Sequence, residues 1–146
     1  MNPELVGRVF PPTAPYLVGR EKVREFARAV FADDPQHTDA AAAQALGYPD
    51  VVAPPTFAMV IQDLTLQQLL AEPDSGIALE RTIHAEQRFR YSRPIVAGDE
   101  LTAQLSISGV RAMGKGAMVT SEAEITDAAG AHVVTATSVL LVGGDE

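Results

Sequence analysis

The spacing of apolar residues changes once along this chain, near Gly76, and this change restricts the fold more than any other feature. Before it, apolar residues such as Val23, Phe26 and Val30 recur at helical spacing on one face. After it, apolar and polar residues alternate, which is typical of half-buried strands. Helices followed by strands indicate an α+β domain.

Three helices are predicted in the first half. The first covers residues 20–31, the second is capped by Thr38 or Asp39 and runs through Leu46, and the third covers residues 56–70. The third is the longest, and Pro54 and Pro55 suit its opening turn because proline costs little there. Its first turns, from Phe57 to Ile61, are apolar all round, which indicates burial on most sides. This helix, Thr56–Leu70, is therefore expected at the centre of the domain.

Four strands are predicted in the second half, over residues 83–91, 101–108, 117–126 and 132–142. Short turns join them, so we expect an antiparallel meander wrapped around the long helix. One strand face is apolar and the other is mixed. The mixed faces and a free sheet edge predict that a second subunit completes the structure.

Composition excludes several classes of function. The formal net charge is −8 and no basic block exists, which argues against nucleic-acid binding. The chain has no cysteine, so disulfides and thiolate chemistry are excluded. No apolar run is long enough for a membrane span, and Met1 to Glu4 do not resemble a signal peptide. We therefore expect one cytoplasmic domain spanning residues 1–146.

Several separated motifs carry a resemblance to a known family. They are Val18-Gly19-Arg20-Glu21-Lys22-Val23, Asp33-Asp34-Pro35-Gln36-His37-Thr38-Asp39, Leu46-Gly47-Tyr48-Pro49-Asp50-Val51-Val52-Ala53-Pro54-Pro55-Thr56-Phe57, His84-Ala85-Glu86-Gln87-Arg88-Phe89 and Arg93-Pro94-Ile95-Val96-Ala97-Gly98-Asp99. Over residues 5–142 the chain resembles the MaoC-like hot-dog dehydratases. It is most similar to the FAS1-like dehydratase branch, which includes the substrate-binding subunit of heterodimeric (3R)-hydroxyacyl-ACP dehydratases.

The resemblance implies a hot-dog fold, an acyl thioester of ACP or CoA as substrate, and neither a metal nor a redox cofactor. Active members share the motif Gly-Asp-x-Asn-Pro-x-His, whose Asp and His exchange protons as water is added or removed. Here Pro35 and His37 match the motif, whereas Asp34 stands at the Asn position. Phe31 and Ala32 stand at the Gly and Asp positions.

A second part of the family's site is altered as well. The family places Gly before the central helix, where its backbone N–H stabilises the enolate-like thioester oxygen. Pro55 stands there in this chain and has no N–H, unless the N–H of Thr56 substitutes for it. The chain therefore resembles an acyl-binding half that needs a catalytic partner.

The alternatives for individual residues remain open on sequence alone. His37 either performs acid–base catalysis or caps a turn, and Asp33 and Asp34 either replace the missing carboxylate or are solvated turn residues. Gln87 shares an apolar strand face, so it either ties down a loop or lines a ligand channel. The residues assigned to substrate binding, some of which can instead be core, are Pro55, Thr56, Phe57, Val60, Ile61 and Gln87.

Other side chains have ordinary interpretations. His84 and His132 are expected to face solvent or an interface, and the spacing of the three histidines predicts no metal site. Arg90 and Arg93 either meet the phosphates of the carrier or are exposed charges at a strand end.

Three functions follow. The first is a dehydratase or hydratase subunit that forms a heterodimer with a MaoC-like partner. The second is a self-sufficient homodimeric hydratase that uses His37 with Asp33 or Asp34. The third is a non-enzymatic module that binds acyl thioesters or serves as a scaffold.

Overall fold

A computed structural model describes residues 2–144 of the chain, so the predicted boundaries at Met1 and Glu146 lie outside the described residues. A five-stranded antiparallel sheet curls around a central helix. The helices are α1 (Arg20–Ala29), α2 (Ala40–Ala45) and α3 (Ala58–Ala71), and the strands are β1 (Tyr16–Leu17), β2 (Thr82–Tyr91), β3 (Glu100–Met113), β4 (Gly116–Thr126) and β5 (His132–Val142).

The helices agree with the sequence prediction except at their ends. α1 ends at Ala29 rather than at Phe31. Asp39 caps α2, because its side chain accepts a hydrogen bond from the Ala41 N–H. The central helix opens with a 3-10 turn, Pro55–Phe57, in which Pro55 occupies the first position as predicted, and α3 follows directly.

The strand order is β1-β3-β4-β5-β2, so the predicted four-strand meander is wrong for its first strand. β2 pairs with β5 and not with β3. The reason lies in residues 92–99, which do not form a tight hairpin. They bond instead to the segment before α3, through Ala53 N–H to Ile95 O at 2.8 Å and Ala97 N–H to Val51 O at 3.0 Å.

The main core forms between the start of α3 and the sheet. Phe57 and Ile61 are fully buried there with Leu101, Ile125 and Val134. Phe57 also meets Phe26 of α1 edge to face, with ring centroids 5.3 Å apart. This packing fixes the start of the central helix against α1, the two elements that border the site described below.

The two edges of the sheet differ. The N-terminal segment covers β3 through hydrogen bonds from Gly7, Phe10 and Thr13, whose N–H groups donate to β3 carbonyls. β2 has β5 on one side and no described strand on the other. A sheet edge of this length is a template for pairing with another chain.

A β-bulge between His84 and Glu86 interrupts the alternation predicted for β2. Ile83 and Ala85, which were expected on a buried face, are both exposed, and 66% of Ile83 is accessible. At the bulge, His84 Nε2 lies 3.0 Å from Gln87 Oε1.

Within residues 2–144, no helix is long and apolar enough to cross a membrane. The same residues contain no cluster of three or more His, Asp or Glu side chains suited to a metal ion.

Candidate functional site

An open cavity of about 600 Å³ lies where the loop after α1, the start of the central helix and the end of β2 meet. It is the cavity that contains the motif histidine. Its lining residues are Asp34, Gln36, His37, Val52, Ala53, Pro55, Tyr91, Ser92, Arg93 and Pro94.

The turn that leads from α1 to His37 is a Schellman motif built on Phe31. The Phe31 N–H donates to Arg28 O and the Ala32 N–H donates to Ala27 O, which satisfies the last carbonyls of the helix. Phe31 has a φ of 57°, the left-handed conformation that glycine adopts without strain. The backbone therefore keeps the left-handed turn that suits the motif glycine. The residue at this position is nevertheless a phenylalanine that is 84% exposed.

His37 is buried, and the hydrogen bond to Val52 fixes its tautomer. Nδ1 lies 2.6 Å from Val52 O. A carbonyl oxygen only accepts hydrogen bonds, so Nδ1 carries the proton. In the neutral ring Nε2 then keeps its lone pair, which is the state that a general base requires.

No described carboxylate forms a hydrogen bond or an ion pair with the His37 ring. Asp33 and Asp34 are exposed, and neither side chain makes a hydrogen bond or ion pair with His37. Asp34 lines the cavity and its backbone carbonyl accepts the His37 N–H at 3.1 Å. Ala32, at the motif Asp position, contributes only a methyl group.

The start of the central helix forms the opposite wall. Pro55 lines the cavity, and Thr56 beside it is exposed. The Phe57 N–H donates to Pro54 O at 2.9 Å, whereas the Thr56 N–H donates to no described residue. Thr56 therefore presents the free amide of this helix end, which favours negative charge.

Tyr91 holds that helix end in place and was not predicted as a site residue. Its hydroxyl donates to Pro55 O. Burial raises the pKa of Tyr91 to about 12, and a hydrogen bond at the Ala58 backbone opposes this rise. The hydroxyl thus stays protonated at neutral pH and remains a donor.

The other residues assigned to substrate binding lie elsewhere. Phe57 and Ile61 are core residues, and Val60 packs half-buried against the same cluster. Gln87 neither ties down a loop nor lines the His37 cavity, because its Nε2 donates to Gln62 Oε1 of α3 at 2.7 Å. The structure therefore brings together His37, Asp34 and Pro55. The predicted site residues that do not line the cavity are Asp33, Thr56, Phe57, Val60, Ile61 and Gln87.

Arg90 and Arg93 are both bonded to other side chains, so neither presents an unoccupied group for the phosphates of a carrier. Arg93 makes hydrogen bonds of 2.8 and 3.1 Å to Asp99 and an ion pair of 3.3 Å with Asp127. The hydrogen bonds to Asp99 raise the pKa of Arg93. Arg90 donates to Thr135 Oγ1 at 3.4 Å. Arg93 thus ties the loop after β2 to the turn at Asp127, whereas Arg90 links β2 to β5.

Sequence reasoning missed the cavity wall formed by Tyr91, the last residue of β2, and by Ser92 and Pro94 in the loop after it. The available signal was their position at a strand end before a proline, where loops carry functional groups.

Residues 4–136 match the family model described as "FAS1-like, dehydratase domain region". A UPF0336 protein of Clavibacter michiganensis subsp. michiganensis is 61% identical over 146 residues, which cover 100% of this chain and 98% of that protein.

Solved structures show the same fold. One is a C-terminally truncated HadBC (3R-hydroxyacyl-ACP dehydratase) complex from Mycobacterium tuberculosis, with 32% identity and a TM-score of 0.86 over 94% of this chain and 96% of that chain. A MaoC-like dehydratase has 38% identity and a TM-score of 0.84 over 95% of this chain and 42% of that chain. The predicted hot-dog fold is confirmed.

Proposed function

This chain belongs to the FAS1-like dehydratase domain family, and from that premise we propose that it is the acyl-binding subunit of a (3R)-hydroxyacyl-thioester dehydratase or enoyl hydratase. Its partner is a MaoC-type subunit that carries an intact Asp–His pair. The substrate is a cytoplasmic acyl thioester of ACP or CoA.

The single observation that carries the proposal is the incomplete acid–base pair at His37. Moving one proton at C2 and releasing oxygen at C3 requires two poised groups. His37 offers Nε2, but its Nδ1 bonds a backbone carbonyl and the motif Asp is Ala32. A cavity of about 600 Å³ with one such group supports binding better than turnover.

The cavity has features that suit a thioester. Its described lining combines apolar groups of Val52, Ala53 and Pro55 with the His37 ring. Beside the cavity, next to Pro55, the free Thr56 N–H at the helix start offers a donor for the carbonyl oxygen. This donor stands one residue after Pro55, the position at which the family uses glycine.

The open edge of β2 supports a partner subunit. Residues 82–91 leave one side of a ten-residue strand unpaired by any described strand, and Ile83 is exposed on it. Pairing this edge with a second chain satisfies its backbone groups and covers its side chains. The HadBC similarity supports a partner of related fold.

A reconstitution assay tests the proposal. The purified chain, a MaoC-type partner and their co-expressed complex are each assayed on crotonyl-CoA and on longer enoyl thioesters. We expect the chain alone to be inactive, and the complex to hydrate longer chains faster than the partner does. Turnover by the chain alone that disappears in His37→Ala, but not in His84→Ala, would instead establish an independent hydratase.

That independent homodimeric hydratase is the second candidate, and one observation favours it. Asp34 lines the same cavity as His37, and its exposed carboxylate is not paired with any described cation. In this case Asp34→Asn abolishes turnover by the isolated chain, whereas Asp33→Asn does not.

A further inference from the structure

A second histidine lies beside the same cavity and has the partners that His37 lacks. Ser92 lines the cavity at the end of β2, and its Oγ bonds Nδ1 of His132. On the other side of the ring, Nε2 lies 2.8 Å from Thr135 Oγ1 and 3.4 Å from Glu124 Oε2. Hydroxyl, imidazole and carboxylate thus follow one another across the ends of three strands.

The surrounding bonds fix where the protons lie. Thr135 Oγ1 donates its one proton to Glu124 Oε1 at 2.9 Å. It must therefore accept from His132, so Nε2 carries a proton. In the neutral ring Nδ1 is then the acceptor and takes the hydrogen bond of the Ser92 hydroxyl. A base that bonds a serine hydroxyl in this way can activate it as a nucleophile, and here Glu124 orients the base through Thr135.

A donor for a developing oxyanion lies next to the serine. The N–H of Arg93, which directly follows Ser92, donates to no described residue. Oxyanion sites commonly use the backbone N–H that follows the nucleophile. The side chain of His132 is 32% exposed, and Ser92, which it contacts, lines the cavity.

We propose that Ser92, His132 and Glu124 form a second reactive centre that accepts an acyl group on Ser92 and releases it to water. The preference for thioesters rests on the function proposed above, whereas the reactivity of Ser92 does not. The centre would cleave the acyl–carrier bond, a reaction different from hydration of a double bond.

The reaction balances without a cofactor. Ser92 Oγ forms a bond to the carbonyl carbon while its proton passes to His132 Nδ1. The carbon–sulfur bond breaks, and the leaving thiolate takes that proton as a thiol. Water then attacks the acyl ester with His132 as base, which gives the carboxylic acid and the free serine. Glu124, which accepts the Thr135 hydroxyl and lies 3.4 Å from Nε2, stabilises the imidazolium.

The test uses an activated ester, so its result does not depend on whether the chain binds enoyl thioesters or needs a partner. The full-length chain is incubated with p-nitrophenyl acetate while nitrophenol release is followed, and the quenched protein is digested and mapped by mass spectrometry. We expect the Ser92 peptide to gain one acetyl group. We also expect Ser92→Ala and His132→Ala each to lower the release rate roughly hundredfold.

Ser108→Ala is the matched control. Ser108 is an exposed serine that bonds only the Thr120 carbonyl, and its loss should leave the rate unchanged. Because acetyl mapping is done on the unaltered chain, it gives a result even if a variant fails to fold. An unacetylated Ser92 peptide, or equal rates for the unaltered chain and a folded Ser92→Ala variant, would overturn the proposal. A positive result with an inactive reconstituted complex would overturn only the function proposed above.

Discussion

His37 lines the cavity, whereas His132 reaches it only through Ser92, and each ring lacks what the other has. His37 is buried, its proton is fixed by a backbone carbonyl, and no described carboxylate reaches it. His132 is about one-third exposed, and a carboxylate and two hydroxyls surround it. A buried imidazole in a cavity suits substrate binding, whereas an imidazole between Ser92 and Glu124 suits nucleophilic chemistry. The immediate partners of each ring therefore decide its chemistry.

The largest expected effect comes from giving His37 a carboxylate partner, which tests whether the difference between the two rings lies in their partners. In the double variant Phe31→Gly/Ala32→Asp, glycine fits the left-handed turn and the aspartate stands at the motif position. We expect hydration of crotonyl-CoA by the isolated chain to rise roughly hundredfold above the background rate seen with the inactive unaltered chain, because a second proton-transfer group is supplied.

The control for this gain is Phe31→Gly/Ala32→Asn, which has nearly the same shape but cannot exchange a proton. Equal rates for the two folded variants would contradict the assignment of this cavity to the enoyl thioester. Both rates are measured from the loss of enoyl-thioester absorbance.

The two rings should also differ in their contribution to stability. His37→Ala leaves the buried carbonyl of Val52 without its donor, which should cost about 1–3 kcal/mol. His132→Ala removes a ring that is about one-third exposed and whose neighbours can bond to water, so we expect a loss of roughly 0.5 kcal/mol or less.

Urea unfolding of both variants at neutral pH measures these free energies of unfolding directly. The comparison requires that the slope of the free energy against urea concentration is the same in both variants. A larger loss in His132→Ala than in His37→Ala would mean that the exposed network, and not the Val52 bond, holds the loops together.

The helices and the fold could be predicted from sequence because they depend on local patterns. Asp39 as a cap and Pro55 in an opening turn require only the residues themselves. The pairing of β2 could not be predicted, since it depends on where residues 92–99 bond, and these bonds are non-local. The bulge at His84 likewise leaves no mark in an alternating sequence.

The candidate site was predictable only in part for the same reason. His37 and Pro55 belong to motifs and could be found from them. Tyr91 and Ser92 reach the cavity only through the fold, and the bond from Gln87 to Gln62 joins residues 25 positions apart. Sequence alone could not reveal that the ring of His132 lies beside Ser92, 40 positions earlier.

A smaller effect distinguishes the turns that precede the two histidines. Phe31 and Gly130 both have positive φ, of 57° and 81°. Phe31→Gly should stabilise the fold by about 0.5 kcal/mol, because relief of left-handed strain exceeds the added entropy of the unfolded chain. Gly130→Ala should destabilise it by about 0.5–1 kcal/mol, although no atom lies near the new Cβ.

Thermal unfolding of these two variants in parallel measures both shifts. A destabilised Phe31→Gly variant would show that the exposed ring of Phe31 makes a contact that the described structure does not contain.

The smallest effect is a pH dependence confined to the turn before His132. Asp127 accepts hydrogen bonds from the Ala131 N–H, the Arg93 side chain and the Ala129 N–H, and these bonds lower its pKa below 3.8. The folded state therefore holds its proton less tightly than the unfolded state does. The contribution of Asp127 to the free energy of unfolding is fully present above the unfolded pKa and is lost as the pH falls below about 4 toward the folded pKa.

Urea unfolding between neutral pH and this acid range tests this contribution. The free energy of unfolding should decline less with falling pH for Asp127→Asn than for the unaltered chain. Asp33→Asn, in the turn before His37, should leave the decline unchanged, since that exposed side chain makes no described hydrogen bond. An equal change in both variants would mean that acid weakens the two turns alike, and the electrostatic difference between the two histidine regions would be lost.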